Sequence, residues 1–357
     1  MSTASDLTNI YNKNTKRKIF IILSFFLALL LVTIFAISFG AGSPRFTQAT
    51  NVIFSHFFHL EMPVESQITQ LIVLDLRLPR IILAMIAGAG LASSGTTMQG
   101  ALQNPLVSSY VLGISSAAGF GAAFAIAFGS FLFSGHNNYI VVASAFGFSL
   151  LAMLLVYFIA RLRGMTAETV ILAGVAVGYL FSALISLIQY IIPEHEVLEA
   201  IVFWLMGGLT SVTWESILIP FVIVSVTLIF MMQQSWNLNV MSLGEEAATS
   251  VGVNSKHVLV ICMTLSTLST ASVVAFTGVI GFVGLTSPHI SRLLVGNDNR
   301  FLLPCSAVVG ALLLLCSDTA ARLVIMPVEI PVGIITSLLG VPFFIYLLYS
   351  RKRKRWS

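Results

Sequence analysis

Charge is what this sequence has least of. Only 9% of its 357 residues are Asp, Glu, Lys or Arg, where a water-soluble domain carries roughly 25%. That excludes a soluble globular enzyme. Cysteine is scarce too: Cys262, Cys305 and Cys316 are the only three, all in apolar segments, and none forms a CxxC pair. No disulfide framework or thiolate metal site is implied, and small buried hydrophobes are expected. HExxH, the GxxxxGK[ST] phosphate loop and the GxSxG elbow are all absent, which removes those catalytic signatures. Asp318 is the single acid well inside an apolar run. Proton and ion relays rely on such groups, so this weighs against a proton-coupled transporter and most membrane enzymes.

What the sequence does have is apolar residues, 57% of the chain, with a mean hydropathy of +0.97. A membrane-crossing helix needs about 20 in a row, so roughly ten spans fit. The alternation of a membrane barrel is missing, and so is the low hydrophobicity of a disordered chain. The first run, 19–39, follows Lys16, Arg17 and Lys18 and is too long for a signal-peptide core. Others cover about 79–99, 106–129, 139–160, 169–192, 214–232, 258–279, 281–296, 302–322 and 332–349. The fold class read from this pattern is an all-α polytopic membrane protein with about ten transmembrane helices. Its parts are a basic N-terminal segment, 1–18, a single membrane domain, 19–350, and a basic tail, 351–357.

Ten spans put both termini on one side. That side then holds Lys13, Lys16, Arg17 and Lys18, the tail cations Arg351 to Arg355, and Arg161, Arg163, Lys256, Arg292 and Arg300, which is 14 of 18 basic residues. The positive-inside rule makes it cytoplasmic. The outer loops then carry Glu61, Glu65, Asp75, Glu194, Glu196, Glu199 and Glu329, with Arg45, Arg77, Arg80 and Arg322 as exceptions. The net charge of +4 is therefore a topology signal, with no nucleic acid implied.

Four stretches stand out. At 242–256, Ser242-Leu243-Gly244-Glu245 fits a capping box, Leu243, Ala247, Ala248 and Val251 recur at helical spacing, and Gly252-Val253 is a ready stop. An interfacial anchor carries Lys, Arg and bulky apolar groups. This helix is acidic and Ala-lined, so a helix docking into another protein fits better than one lying on the bilayer. At 97–121, Asn104-Pro105 favours a turn, and the Ser and Gly residues after it suit either close packing or the lining of a pathway. Arg77-Leu78-Pro79-Arg80 places two cations at a helix start, against the dipole. They either snorkel to headgroups or form a basic patch for an acidic outer partner. Arg322 joins them, with Asp318 one turn earlier as its partner. Finally, glycines spaced by three run through 278–284, and His289 and Arg292 share one face. His289 reads as a hydrogen-bonding or packing residue, not a metal ligand.

These pieces recur in order: Arg77-Leu78-Pro79-Arg80, Met98-Gln99-Gly100 with Asn104-Pro105-Leu106, Leu172-Ala173-Gly174, Trp204-Leu205-Met206-Gly207-Gly208, Leu243-Gly244-Glu245, Gly281-Phe282-Val283-Gly284 and Glu329-Ile330-Pro331-Val332-Gly333. Together, over about 19–350, they resemble the FecCD family of ABC-importer permeases, which serve ferric siderophores, haem and cobalamin. The resemblance implies the type II ABC importer permease fold, ten spans, a homodimer around one path, two cytoplasmic ATPase subunits and an outer substrate-binding protein. It implies no cofactor and no metal site in this chain, with ATP and magnesium used by the partner ATPase. By motif, Arg77, Arg80 and Arg322 match the binding-protein docking positions. Leu243, Gly244, Glu245, Ala248 and Gly252 match the ATPase coupling helices. Asn104 and Leu106 match one cytoplasmic gate, and Ala167 and Glu168 the other. Glu168 departs from the small hydroxyl residues of the cobalamin importer. Its preferred reading is a helix N-terminus, with a charged gate ring as the alternative. An iron(III) chelate is the expected cargo, ahead of cobalamin and haem. A stand-alone secondary transporter is the other reading, and a membrane enzyme using His289, His195 and Glu194 comes third. The localisation expected is the cell membrane.

Overall fold

The computed structural model describes residues 4–39, 51–52, 55, 67–132 and 138–350. These residues are helical or in turns, and no strand occurs among them. Among the described residues, the α-helices of six residues or more are, in chain order, α1 Ala4–Ser38, α2 Leu78–Ala101, α3 Ile114–Leu132, α4 Asn138–Leu162, α5 Ala167–Ile191, α6 His195–Met206 and α7 Glu215–Gln233. Then come α8 Ser235–Met241, α9 Glu245–Ser250, α10 Ser255–Thr277, α11 Val283–Val295, α12 Asn299–Leu323 and α13 Val332–Ser350. A helical turn, Gln67–Gln70, and a π-helical segment, Leu71–Arg77, lead into α2.

The centre of the bundle is α2. Pro79 starts it, where a missing amide costs nothing. Beyond that, glycines, serines and threonines let neighbouring backbones come close, the usual way membrane helices pack. α12 runs antiparallel along it. Arg80 meets Asp318 at one end, Gly88 lies against Gly310 in the middle, and Gly100 lies near Asn299 at the other. On another face, Ser269 Oγ of α10 donates to the Gly90 carbonyl and Ser266 Oγ to that of Ser94, both at 3.3 Å. α11 fills the remaining side, with Gly284 against Gly95.

A helix stands at each of the ten apolar runs. Six of them are long and apolar enough to cross a membrane: α1 from Tyr11, α4, α5, α7, α10 and α12. Ile114–Gly129 of α3 and Val332–Tyr346 of α13 are shorter apolar stretches. α11 has 13 residues, about 20 Å at the usual rise, against a hydrocarbon core of about 30 Å. The count of about ten crossings therefore goes beyond these six.

Some boundaries differ from the sequence reading. The segment 102–113 is not helical, because Gln103 is left-handed (φ 47°), Pro105 lacks an amide and Gly113 is left-handed (φ 75°). The seventh and eighth runs are separate helices, as the sequence reading had them, broken by Gly278 (φ 67°) and Phe282 (φ 65°). α1 runs from Ala4 to Ser38 and includes the basic residues Lys13, Lys16, Arg17 and Lys18. Arg45, Glu61, Glu65 and the tail 351–357 lie outside the described residues. Cys262 and Cys305 are buried as expected, whereas Cys316 is on the exposed face of α12.

Candidate functional site: two ends of the bundle

The polar groups gather at the two opposite ends of α2. At its start sits an ionic cluster. Arg80 Nε is 2.8 Å from Asp318 Oδ1 and its Nη1 is 2.5 Å from Glu329 Oε2. Arg322 Nε is 3.2 Å from Asp318 Oδ2, the i, i+4 pair expected. Arg77 Nη1 donates to the Ile37 carbonyl at 2.6 Å, and Arg322 Nη1 to those of Ala36 and Phe39 at 3.4 Å. Asp318 is fully buried, Arg77, Arg80 and Arg322 are 5, 8 and 4% exposed, and only Glu329 reaches partly into the open. The sequence reading left snorkelling and a basic outer patch open; in the structure the three guanidiniums bind the end of α1, the start of α2 and the end of α12 together. A charge in low dielectric needs such partners.

At the other end, α8 and α9 form a short hairpin. The expected capping box does not form. Ser242 Oγ donates to the Asn239 carbonyl at 2.6 Å, closing α8, and Gly244 (φ 105°) stands at the N-cap of α9. The predicted stop does form. Gly252 is left-handed (φ 85°), its amide bonds to Thr249 O at 3.0 Å and the Val253 amide to Ala248 O at 2.9 Å, a Schellman motif. Ala248 is wholly buried, while Leu243 and Val251 are 75 and 65% exposed beside exposed Glu245 and Glu246. The hairpin thus turns one face inward and holds an apolar, acidic face out.

A second tie fixes α8 to α12. Asn239 Nδ2 donates to Asp298 Oδ1 at 2.8 Å, and its Oδ1 accepts from the Asn299 amide at 2.8 Å. Arg300 Nη2 grips Asp298 Oδ2 at 2.8 Å. The Arg300 guanidinium, with Asn239, holds the Asp298 carboxyl down at about 2 from its ordinary 3.8. A carboxyl whose pKa is lower folded than unfolded stabilises above the unfolded value and loses that contribution as pH falls through the folded one. The thermal midpoint of Asp298→Asn should therefore lie below wild type near neutral pH, and the gap should close as pH falls from about 4 towards about 2. A gap independent of pH would contradict the pairing.

The matched gate residues lie beside this hairpin. Asn104 Oδ1 accepts from the Leu106 amide at 3.0 Å, and Leu106 is 47% exposed. Thr166 caps α5 by accepting from the Thr169 amide at 3.3 Å, with Ala167 half-buried and Glu168 exposed in the first turn. That is the favoured helix-start place for an acid. Leu102, Val107, Met165 and Ala167 pack into one apolar cluster with Leu238, Met241 and Ala248. The 102–107 and 165–167 segments and the hairpin therefore share a core. His289 is 9% exposed, its Nδ1 2.9 Å from the Leu285 carbonyl and its ring edge-on to Phe344 at 6.4 Å. His195 and Glu194 belong to the start of α6. No group of acids, histidines or cysteines among the described residues can hold a metal.

Sequence reasoning missed Gln103, whose Nε2 donates to the Met241 carbonyl, and the role of Gln99, which accepts from Arg292 Nη2 at 3.2 Å. The signal was the Gln103-Asn104-Pro105 turn, which set the backbone apart but said nothing of a side-chain partner.

The described residues form a helical multi-pass membrane protein with a small-residue centre, an ionic clasp at one end and an outward helical hairpin at the other. The chain belongs to the FecCD transport family, whose model matches residues 28–350. A Methanocaldococcus jannaschii protein named as an ABC transporter permease is 40% identical over 98% of this chain and 99% of its own. The molybdate import system permease protein MolB of Haemophilus influenzae is 40% identical over 92% of this chain and 96% of its own. A solved structure described as a metal-chelate type ABC transporter in an inward-facing conformation aligns with TM-score 0.80 at 36% identity, over 92% of this chain and 98% of its own. Other relatives are named for iron chelate, haem and cobalamin import. The chain is an ABC importer permease of this family.

Proposed function

We propose that this chain forms, as a homodimer with about ten spans per copy and both termini cytoplasmic, the path of an ATP-driven importer for an iron(III) chelate. A substrate-binding protein docks on the outer rim around Arg77, Arg80 and Arg322. Its acids reach those guanidiniums by displacing Glu329, the one partly exposed member of the cluster. Two ATPase subunits seat the α8–α9 hairpin at Leu243, Gly244, Glu245, Ala248 and Gly252. Its movement opens the gates at Asn104 and Leu106 and at Ala167 and Glu168. No cofactor or metal is held by the chain itself, and ATP and magnesium are used in the partner ATPase.

The observation that carries this reading is the hairpin: Leu243 and Val251 stand 75 and 65% exposed beside exposed Glu245, on a helix pinned by buried Ala248. Apolar groups held out rigidly beside an acid suit a protein cleft more than a lipid headgroup layer. The cargo rests on the 36% likeness to a structure described as metal-chelate type. A second reading, molybdate, is favoured by the 40% identical relative named for it. Haem and cobalamin follow on relatives of the same family.

The test is Glu245→Arg in the permease assembled with its ATPase. The variant should bind the ATPase at least tenfold more weakly, because a charge of the wrong sign set against a complementary surface costs several kcal/mol. Its thermal midpoint should stay as in wild type, since Glu245 is exposed. Unchanged ATPase binding and uptake would overturn the coupling assignment.

A further inference from the structure

Gln103 lies one residue before the gate residue Asn104, and its side chain reaches the last residue of α8. We propose that Gln103 is the positioning residue that makes the 104–106 gate segment follow the coupling hairpin; this rests on the importer reading above and deepens it.

The Met241 carbonyl accepts from Gln103 Nε2 and also from the Gly244 amide at 3.1 Å. Gly244 is the N-cap of α9. One oxygen at the α8–α9 junction thus joins the hairpin to the gate segment, using both of its lone pairs. The backbone points the same way. Gln103 has φ 47°, a left-handed conformation that costs a residue with a Cβ about 1–3 kcal/mol and that Gly or Asn would adopt more readily. What Gln adds is reach.

The rest of the segment is held to α2. The Asn104 amide bonds to Gln99 O at 3.1 Å, and Gln99 Nε2 donates to the Val107 carbonyl at 3.3 Å. Asn104 in turn orients the Leu106 amide at 3.0 Å. The segment is therefore held to α2 at Asn104 and Val107, and to α8 through the side chain of Gln103, the residue that leads into it. A shift of the hairpin pulls on the residue next to Asn104. The apolar contacts around it are non-directional, whereas a hydrogen bond weakens steeply off axis. It is the contact able to carry a direction.

The test uses nitroxide labels at Tyr110 and Trp236, both exposed, on a Cys316→Ser background. Distances are read by electron-electron resonance in the isolated permease and in its complex with the ATPase, with and without ATP. In wild type the pair should keep one distance in every state, because segment and hairpin move as one body. Gln103→Glu keeps the length but offers no N–H, and Gln103→Gly suits the backbone but removes the group. Both should lower the ratio of held to released segment about fivefold, the factor that one net hydrogen bond of about 1 kcal/mol supplies. Gln103→Lys retains a donor and should restore the wild-type ratio. Glu and Gly variants that match wild type, or a Lys variant as released as the Glu variant, would overturn the proposal. A wild-type chain that binds no ATPase would overturn the importer reading and the transmission with it. A complex that forms normally, with an unchanged ratio in the variants, sinks the Gln103 assignment alone.

Discussion

Asp318→Ala should be the most damaging single change in the chain. Asp318 is fully buried and is the carboxylate between two buried guanidiniums, Arg80 at 2.8 Å and Arg322 at 3.2 Å. Removing one partner of a buried ion pair costs about 3–5 kcal/mol, because the charge left behind has lost its compensation. Glu329 still faces Arg80 but is partly exposed, so it offsets little of the loss around Arg322. The expected result is a fall in folded yield and in the thermal midpoint of the detergent-solubilised protein. The same principle gives the control. Asp318→Leu combined with Arg322→Met replaces charge by apolar volume and should recover much of the loss. A single variant as stable as wild type would show that the cluster is hydrated in solution.

The second large effect is expected at Gly95. A Cβ there would land on the carbonyl of Gly284 in α11, which is backbone and cannot rotate away. Gly88 meets Gly310 in α12 in the same way. Overpacking a core usually costs about 1–3 kcal/mol when side chains can yield. Gly95→Val forces two helix axes apart, so its cost should exceed that range. The variant should reach the membrane in low yield and lose its thermal transition. Gly129→Ala has open space around it and should match wild type. Equal behaviour of the two variants would mean that α2 and α11 are not in contact.

Much of this was legible in the sequence. Length and apolar content identified a helical membrane protein, and the ten runs fall on ten helices. Gly252 was readable as a stop because a left-handed C-terminal glycine is a local property. The capping box at Ser242 was not, since Ser242 serves the end of α8, a helix whose seven residues are too few to leave a clear period. Arg77, Arg80 and Arg322 stood out as cations, and Asp318 was readable as the partner of Arg322, but Asp318 and Glu329 lie more than 200 residues from Arg80, and Ala36 as far from Arg322. Pattern reasoning sees periodicity and local chemistry. It does not see which distant carboxylate closes on a guanidinium, nor that Gln103 reaches Met241 across 138 residues.

On the function proposed above, a partner ATPase drives this permease through its α8–α9 hairpin. The most direct measurement is co-purification in nanodiscs with the ATPase from the same source, with ATP turnover read with and without the binding protein. The expected result is a stable assembly of two permeases and two ATPases whose turnover rises when the loaded binding protein is added. A chain that purifies alone, binds no ATPase and still moves solute in liposomes would contradict it.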